Sequence, residues 1–143
     1  SDYVQSGDRI VVSDLPWGKL GLTVCYDLRF GHLYRLLAQA GAIFITIPSA
    51  FTYKTGKAHW EVLVRARAIE SGSFIFAPSQ CGVRSWGRKT YGHSLIVNPW
   101  GEIMADGGMD EGFITAEIDS LATERCRKMI PSLLNDDVFR ASI

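Results

Sequence analysis

Apolar and polar positions along the chain form short runs that change period several times. Arg9–Asp14 (RIVVSD) and Lys19–Val24 (KLGLTV) are brief and largely apolar, with the turn residues Pro16-Trp17-Gly18 between them. They predict two strands joined as a hairpin. From Gly31, Leu33, Leu36, Leu37 and Ala40 recur at helical spacing, and Gly41 suits the position just past a helix end. Ala42–Ile47 (AIFITI) predicts a strand ended by Pro48. Ser49–Lys57, containing Gly56, reads as a loop, Ala58–Ser71 as a second helix closed by Gly72, and Ser73–Ala77 as a further strand. Short apolar runs bounded by turn residues fit strands covered on both faces.

The pattern then changes. Gln80–Thr90 is a polar loop carrying Arg84, Arg88 and Lys89. Tyr91–Val97 and Glu102–Ala105 predict strands joined by the turn Asn98-Pro99-Trp100-Gly101. Gly112–Ile118 predicts another strand, and Asp119-Ser120 can cap a helix over Leu121–Met129. Pro131 ends that helix, and Ser132–Ile143 reads as an extended tail. Strand, helix, strand, helix, strand is the rhythm of parallel crossovers, and a hairpin-rich segment follows it. The expected class is α/β with a mixed sheet.

Composition narrows the function. The 143 residues make one domain's length, are 47% hydrophobic and carry a formal net charge of zero, which argues against nucleic acid as the main partner. No apolar run approaches membrane-spanning length and no signal peptide is visible, so no membrane partner is expected. The three cysteines, Cys25, Cys81 and Cys126, are widely spaced and odd in number. They suggest no metal site and no disulfide framework, and fit a reducing, cytoplasmic setting. Trp17, Trp60, Trp86 and Trp100 follow no stripe and are expected in the core or in packing contacts, with Trp86 a candidate for the mouth of a pocket.

Candidate chemistry centres on Cys25. A free cysteine is usually a small buried hydrophobe. Here it ends a predicted buried strand and is followed by Tyr26, Asp27 and Arg29, whose charges are costly unless paired or used. Chemistry in open α/β sheets collects past the carboxyl ends of strands, so Cys25 is a candidate nucleophile. The histidines His32, His59 and His93 are candidates for a Cys–His pair, and spacing selects none of them; His93, within a predicted strand, reads more readily as hydrogen-bonded structure. Phe51, past the strand ending at Ile47, is a candidate pocket wall, and the Tyr26 backbone N–H a candidate oxyanion donor. Glu61 either lines the site or pairs with Arg65 four residues on; Arg67 and Glu70 read as structural. Arg84 and Arg88 are either solvated or recognise a substrate carboxylate.

GLTVCYDLRF resembles the nucleophile segment of the nitrilase, or carbon–nitrogen hydrolase, superfamily. PSAF (Pro48–Phe51), TGKAHWEVLVRARAIE (Thr55–Glu70) and YGHSLIVNPWGE (Tyr91–Glu102) follow in the family's order. The likeness is closest to the amidase branch that holds deaminated glutathione amidase and omega-amidase. It implies a four-layer α-β-β-α sandwich and assembly as a homodimer or higher homo-oligomer. It also implies no cofactor, and a cysteine thioester route for hydrolysing a small carboxylic acid monoamide. The family's base glutamate, oxyanion lysine and second glutamate all precede the cysteine. Only 24 residues precede Cys25, and Asp2, Asp8, Asp14 and Lys19 match none of those motifs. Residues 1–143 are therefore expected to form the C-terminal portion of one such domain, with the nucleophile but not its partners. A non-catalytic packing or dimerisation module and a self-contained Cys–His hydrolase are the alternatives.

Overall fold

The computed structural model of the chain describes residues 7–84 and 87–136. Strands β1 (Val11–Leu15), β2 (Gly18–Leu22), β3 (Ala42–Thr46), β4 (Phe74–Ala77), β5 (Leu95–Val97) and β6 (Ile103–Asp106) form one six-stranded sheet in sequential order. β1 and β2 pair antiparallel around Pro16-Trp17, as the turn residues predict. β2–β3 and β3–β4 are parallel, and β4–β5 and β5–β6 antiparallel, which is the expected mixed sheet.

The parallel strands are joined by α1 (Gly31–Gln39) and by a helical stretch of three parts. That stretch comprises α2 (Tyr53–Thr55), a π turn (Gly56–Trp60) and α3 (Glu61–Ser71). The helix thus begins inside the segment expected as a loop. Thr52 caps it, its hydroxyl accepting the Thr55 N–H. Gly56, which suggests a loop by sequence, is instead the small residue on which Tyr91 packs, since a Cβ there would lie 2.2 Å from that of Tyr91. Gly41 and Gly72 take left-handed conformations just past α1 and α3, as expected.

One face of the sheet is covered. Tyr34, Leu37, Trp60, Val64 and Ala68 from the helices pack with Ile45, Ile47, Ile75, Ala77, Leu95 and Val97. The alternate residues point the other way. Leu20 pairs with Phe44, Phe44 with Phe74 and Phe76 with Ile96, so these share the second face. There Leu22 is 44% exposed, and a groove is lined by Leu15, Trp17, Leu20, Phe44 and Phe76. Covered-on-both-faces therefore fails for β2, because no helix packs on this side of it among the described residues.

Ala116 and Ile118 reach that groove from the segment expected as the strand Gly112–Ile118. This segment carries no strand, because no neighbouring chain offers it a hydrogen-bonding edge among the described residues. Tyr91–Val97 also shortens, to Leu95–Val97, because Gly92 and His93 take left-handed conformations that interrupt the ladder. α4 (Leu121–Met129) matches its expected span, with Asp119 Oδ1 accepting the Leu121 N–H. Arg127 anchors α4 by donating to the carbonyls of Ala42 and Ser71. The tail opens with a short 3-10 turn, Ser132–Leu134, and residues 137–143 lie outside the described residues. Of the tryptophans, Trp60 is fully buried, whereas Trp17 and Trp100 are exposed on turns and Trp86 lies outside the described residues.

Candidate active site

The parallel strands β2, β3 and β4 end on one edge of the sheet, and backbone bonds extend their pairing beyond the strands. The Cys25 N–H donates to the Pro48 carbonyl (2.9 Å), and the Ser49 N–H to that of Pro78 (2.9 Å). The Gln80 N–H returns to the Ser49 carbonyl at 2.9 Å. Cys25, Pro48–Phe51 and Pro78–Gln80 thus lie side by side, where a parallel sheet presents its ligands.

Cys25 opens a 3-10 turn, Cys25–Arg29, with φ +45. A left-handed conformation at a non-glycine residue costs about 1–3 kcal/mol and persists only where its surroundings enforce it. The enforcing contacts are visible. Before the turn, the Thr23 hydroxyl donates to the Thr46 carbonyl (2.8 Å) and so accepts from the Tyr34 hydroxyl (3.0 Å). Burial pushes the Tyr34 phenol far above its ordinary pKa, so it stays a neutral donor. Within the turn, Asp27 accepts the Val24 N–H (2.9 Å) and returns its own N–H to the Val24 carbonyl (2.9 Å). Behind it, Arg67 Nε donates to the Leu28 carbonyl (3.0 Å). Cys25 is half-buried, and the Tyr26 N–H has no backbone acceptor among the described residues.

Arg29 ends the turn and gathers several of the predicted site residues. Its guanidinium lies 5.7 Å from the Tyr26 ring centroid and 5.6 Å from that of Phe51. Its Nη2 approaches His59 Nδ1 at 3.4 Å. Phe51 is buried against Trp60, with centroids 5.0 Å apart, and Trp60 Nε1 donates to the His93 carbonyl (2.6 Å). The structure therefore brings Cys25, Tyr26, Asp27, Arg29, Phe51 and His59 into one neighbourhood.

Other predicted residues fall elsewhere. Glu61 pairs with Arg65 at 3.4 Å, both partly exposed, so the helix-pair reading describes its contact. Its charge and that of Asp106 add to burial in raising the Tyr91 pKa. Arg84 and Arg88 are exposed on a loop whose C-terminal end pairs with Thr52 and Tyr53, and neither contacts the cysteine turn among the described residues. No histidine bonds the Cys25 sulfur among the described residues. His59 meets Arg29, His32 packs near Phe30, and His93 is held by Asp106 at 3.0 Å and stacks on Tyr91. Spacing alone does not single out Thr23 or Tyr34. Their only sequence signal is parity, since Thr23 shares the helix-facing side of β2 with Gly21. No group of metal-ligating side chains is found among the described residues.

A hairpin, two parallel crossovers and a left-handed cysteine turn at the sheet edge define the class. The carbon–nitrogen hydrolase profile matches residues 1–128, and the chain belongs to that family. It is 47% identical over 117 residues to a deaminated glutathione amidase of Synechocystis sp., covering 82% of this chain and 43% of that protein. The crystal structure of the C. elegans NitFhit protein superposes with a TM-score of 0.88 at 40% identity, over 94% of this chain and 33% of that one. A variant of the amidase from Nesterenkonia sp. AN1, 25% identical with a TM-score of 0.73, covers 93% of this chain and 52% of that one. Its structure shows the result of Michael addition of acrylamide at the active site cysteine. The chain spans less than half the length of the Synechocystis relative it matches.

Proposed function

We propose that this chain is the nucleophile-bearing C-terminal portion of a cysteine amidase that hydrolyses a small carboxylate-bearing amide. The observation that carries the reading is Cys25, held left-handed just past β2, beside a Tyr26 N–H that has no backbone acceptor among the described residues. In this scheme the Cys25 sulfur attacks the amide carbon, and its proton passes to a glutamate. The family resemblance places that glutamate N-terminal to the cysteine, outside the motifs present here. The carbonyl oxygen becomes an oxyanion, and in this reading the Tyr26 N–H donates to it. The tetrahedral intermediate collapses by breaking the C–N bond, and the glutamate's proton leaves with ammonia. Water then cleaves the thioester, releasing the carboxylic acid and restoring the thiol.

The same reading covers the rest of the domain. The open sheet face with Leu20, Leu22 and Phe76 is the side on which a second sheet would complete the four-layer sandwich. Assembly into a homodimer in a thiol-reducing, cytoplasmic setting fits this reading, and Arg84 and Arg88 are its outer cations for an acidic substrate. That no histidine hydrogen-bonds the Cys25 sulfur among the described residues, with His93 held by Asp106, counts against a self-contained Cys–His hydrolase. The test is made in the full-length protein. Cys25→Ala is expected to lower amide turnover by at least about 10³-fold, whereas Cys81→Ala keeps most of it. Near-normal turnover by Cys25→Ala would refute the assignment.

A further inference from the structure

Thr23 and Tyr34 share a hydrogen bond that lies wholly inside the protein. Tyr34, on α1, is fully buried, and Thr23, between β2 and Cys25, is nearly so. The Thr23 N–H and the Thr23 hydroxyl both donate to the Thr46 carbonyl, at 3.1 and 2.8 Å. That carbonyl has two lone pairs, so it is saturated. The hydroxyl has one proton, so the phenol must be the donor in its 3.0 Å contact with Tyr34. The Thr23 N–H alone would complete this rung of the sheet. The two hydroxyls are therefore additional to the ladder, and a fully paired buried polar network fixes geometry where apolar packing tolerates several arrangements.

The geometry being fixed is that of the nucleophile. The rung after Thr23 is the Cys25 N–H on the Pro48 carbonyl (2.9 Å). Between these two rungs the chain passes from extended at Val24 to left-handed at Cys25. Tyr34 reaches the other flank of the turn as well. The Arg67 guanidinium stands 5.6 Å from the centre of the Tyr34 ring, and Arg67 Nε donates to the Leu28 carbonyl (3.0 Å). One side chain on α1 thus meets Thr23, just before Cys25, and the arginine that holds Leu28, just after it. Burial raises the Tyr34 pKa, so the phenol stays a donor through the neutral range and takes no part in proton transfer.

We propose that Tyr34 is a positioning residue: through the Thr23 hydroxyl it sets the backbone ahead of Cys25, so that the sulfur meets the amide carbon of the substrate in attacking geometry. The proposal rests on the amidase reading above and deepens it.

The test uses the full-length protein with succinamate as substrate. Tyr34→Phe removes the phenol oxygen and keeps the ring on Arg67. Thr23→Val removes the hydroxyl and keeps the shape, and Thr23→Ser keeps the hydroxyl. Misplacing a nucleophile by about 1 Å costs rate rather than affinity. So kcat should fall about tenfold or more in Tyr34→Phe and in Thr23→Val, while KM stays within about threefold. Thr23→Ser should stay within about threefold of the parent in both constants. The double variant Thr23→Val/Tyr34→Phe should match Thr23→Val within about threefold, because both changes break one shared bond. The ratio of parent to Tyr34→Phe kcat should be constant across pH, since the phenol positions and does not titrate. A second measurement is independent of turnover. Protection against amide exchange at the Thr23 and Cys25 N–H groups should fall at least about tenfold in Tyr34→Phe. That of the Ile47 N–H, which donates to the Phe76 carbonyl on the other side of β3, should hold. A merely structural Tyr34 predicts that all three amides lose protection together and that kcat per folded molecule does not change. Either result would overturn the proposal, as would losses that multiply in the double variant or a Thr23→Ser as slow as Thr23→Val. Turnover surviving in Cys25→Ala would refute the nucleophile assignment, while the exchange pattern still judged whether Tyr34 sets the backbone ahead of Cys25.

Discussion

Arg67 offers a quantitative check on what holds the cysteine turn. It lies on α3 with its side chain 9% exposed, and it reaches three elements at once. Its Nε donates to the Leu28 carbonyl inside the turn, its Nη1 pairs with Glu70 at 2.7 Å, and its guanidinium stands 5.6 Å from the centre of the Tyr34 ring. Arg67→Ala removes all three. The buried charge-assisted bond to Leu28 is worth about 1.5–3 kcal/mol, a range that includes part of the cost of leaving that carbonyl unpaired. Glu70 is 56% exposed, so that pair is discounted to about 0–1 kcal/mol. The contact with Tyr34 adds about 0.5–2 kcal/mol. The expected total is a destabilisation of about 2–6 kcal/mol. Arg67→Lys, which keeps charge but loses the fork, should cost about half as much. Urea unfolding of the full-length protein measures this, with a lowered midpoint and an unchanged slope. Because Leu28 belongs to the turn, Cys25 in Arg67→Ala should also label faster with a thiol reagent. A loss below about 1 kcal/mol with unchanged labelling would refute the claim that Arg67 braces the turn.

Two further predictions test the edges of the fold. Bonds from Arg35 and Gln39 hold the exposed Asp136 carboxyl below its ordinary pKa, so the contact stabilises above the ordinary carboxylate range and is lost as pH falls through the depressed value. The protection factors of amides 132–136, each taken against the intrinsic exchange rate at the same pH, should fall on acidification in the parent and be low at both pH values in Asp136→Asn; a segment equally protected in acid would contradict the clamp. Residues 1–143 expressed alone should self-associate through the open sheet face and gain amidase activity only when the rest of the domain is supplied in trans, as judged by light scattering and turnover. A soluble, active monomer would contradict both the uncovered face and the borrowed base.

How much of this was legible in the sequence depended on the range of the interactions. Hairpin, crossovers and capped helices rest on local patterns, and they formed within a few residues of the expected limits. The failures have long-range causes. Gly112–Ile118 has a strand's composition, but a strand needs a partner edge, and composition does not say where that edge comes from. The helix start moved back to Tyr53 because Thr52 caps it and Tyr91, thirty-five residues from Gly56, fills the space its missing side chain leaves.

The site divides in the same way. Cys25, Tyr26, Asp27 and Arg29 are contiguous, so a sequence shows them together, and Asp27's role as the turn's own acceptor is a local bond. The left-handed φ of Cys25 is not local, since it depends on Pro48, Thr46 and Arg67 holding the turn from both sides. Arg84 and Arg88 lie on one basic loop, which composition reads as either solvated surface or a carboxylate contact. Arg29 shows the same division, since its place after Cys25 is local while its contacts with Phe51 and His59 come from later segments of the chain. Asp27 accepts the Val24 N–H, and the group that meets Arg29 arrives from a π turn thirty residues later. Which groups surround a charge at a turn is thus decided by what the fold delivers to it, and here the fold delivers an imidazole and the Phe51 ring.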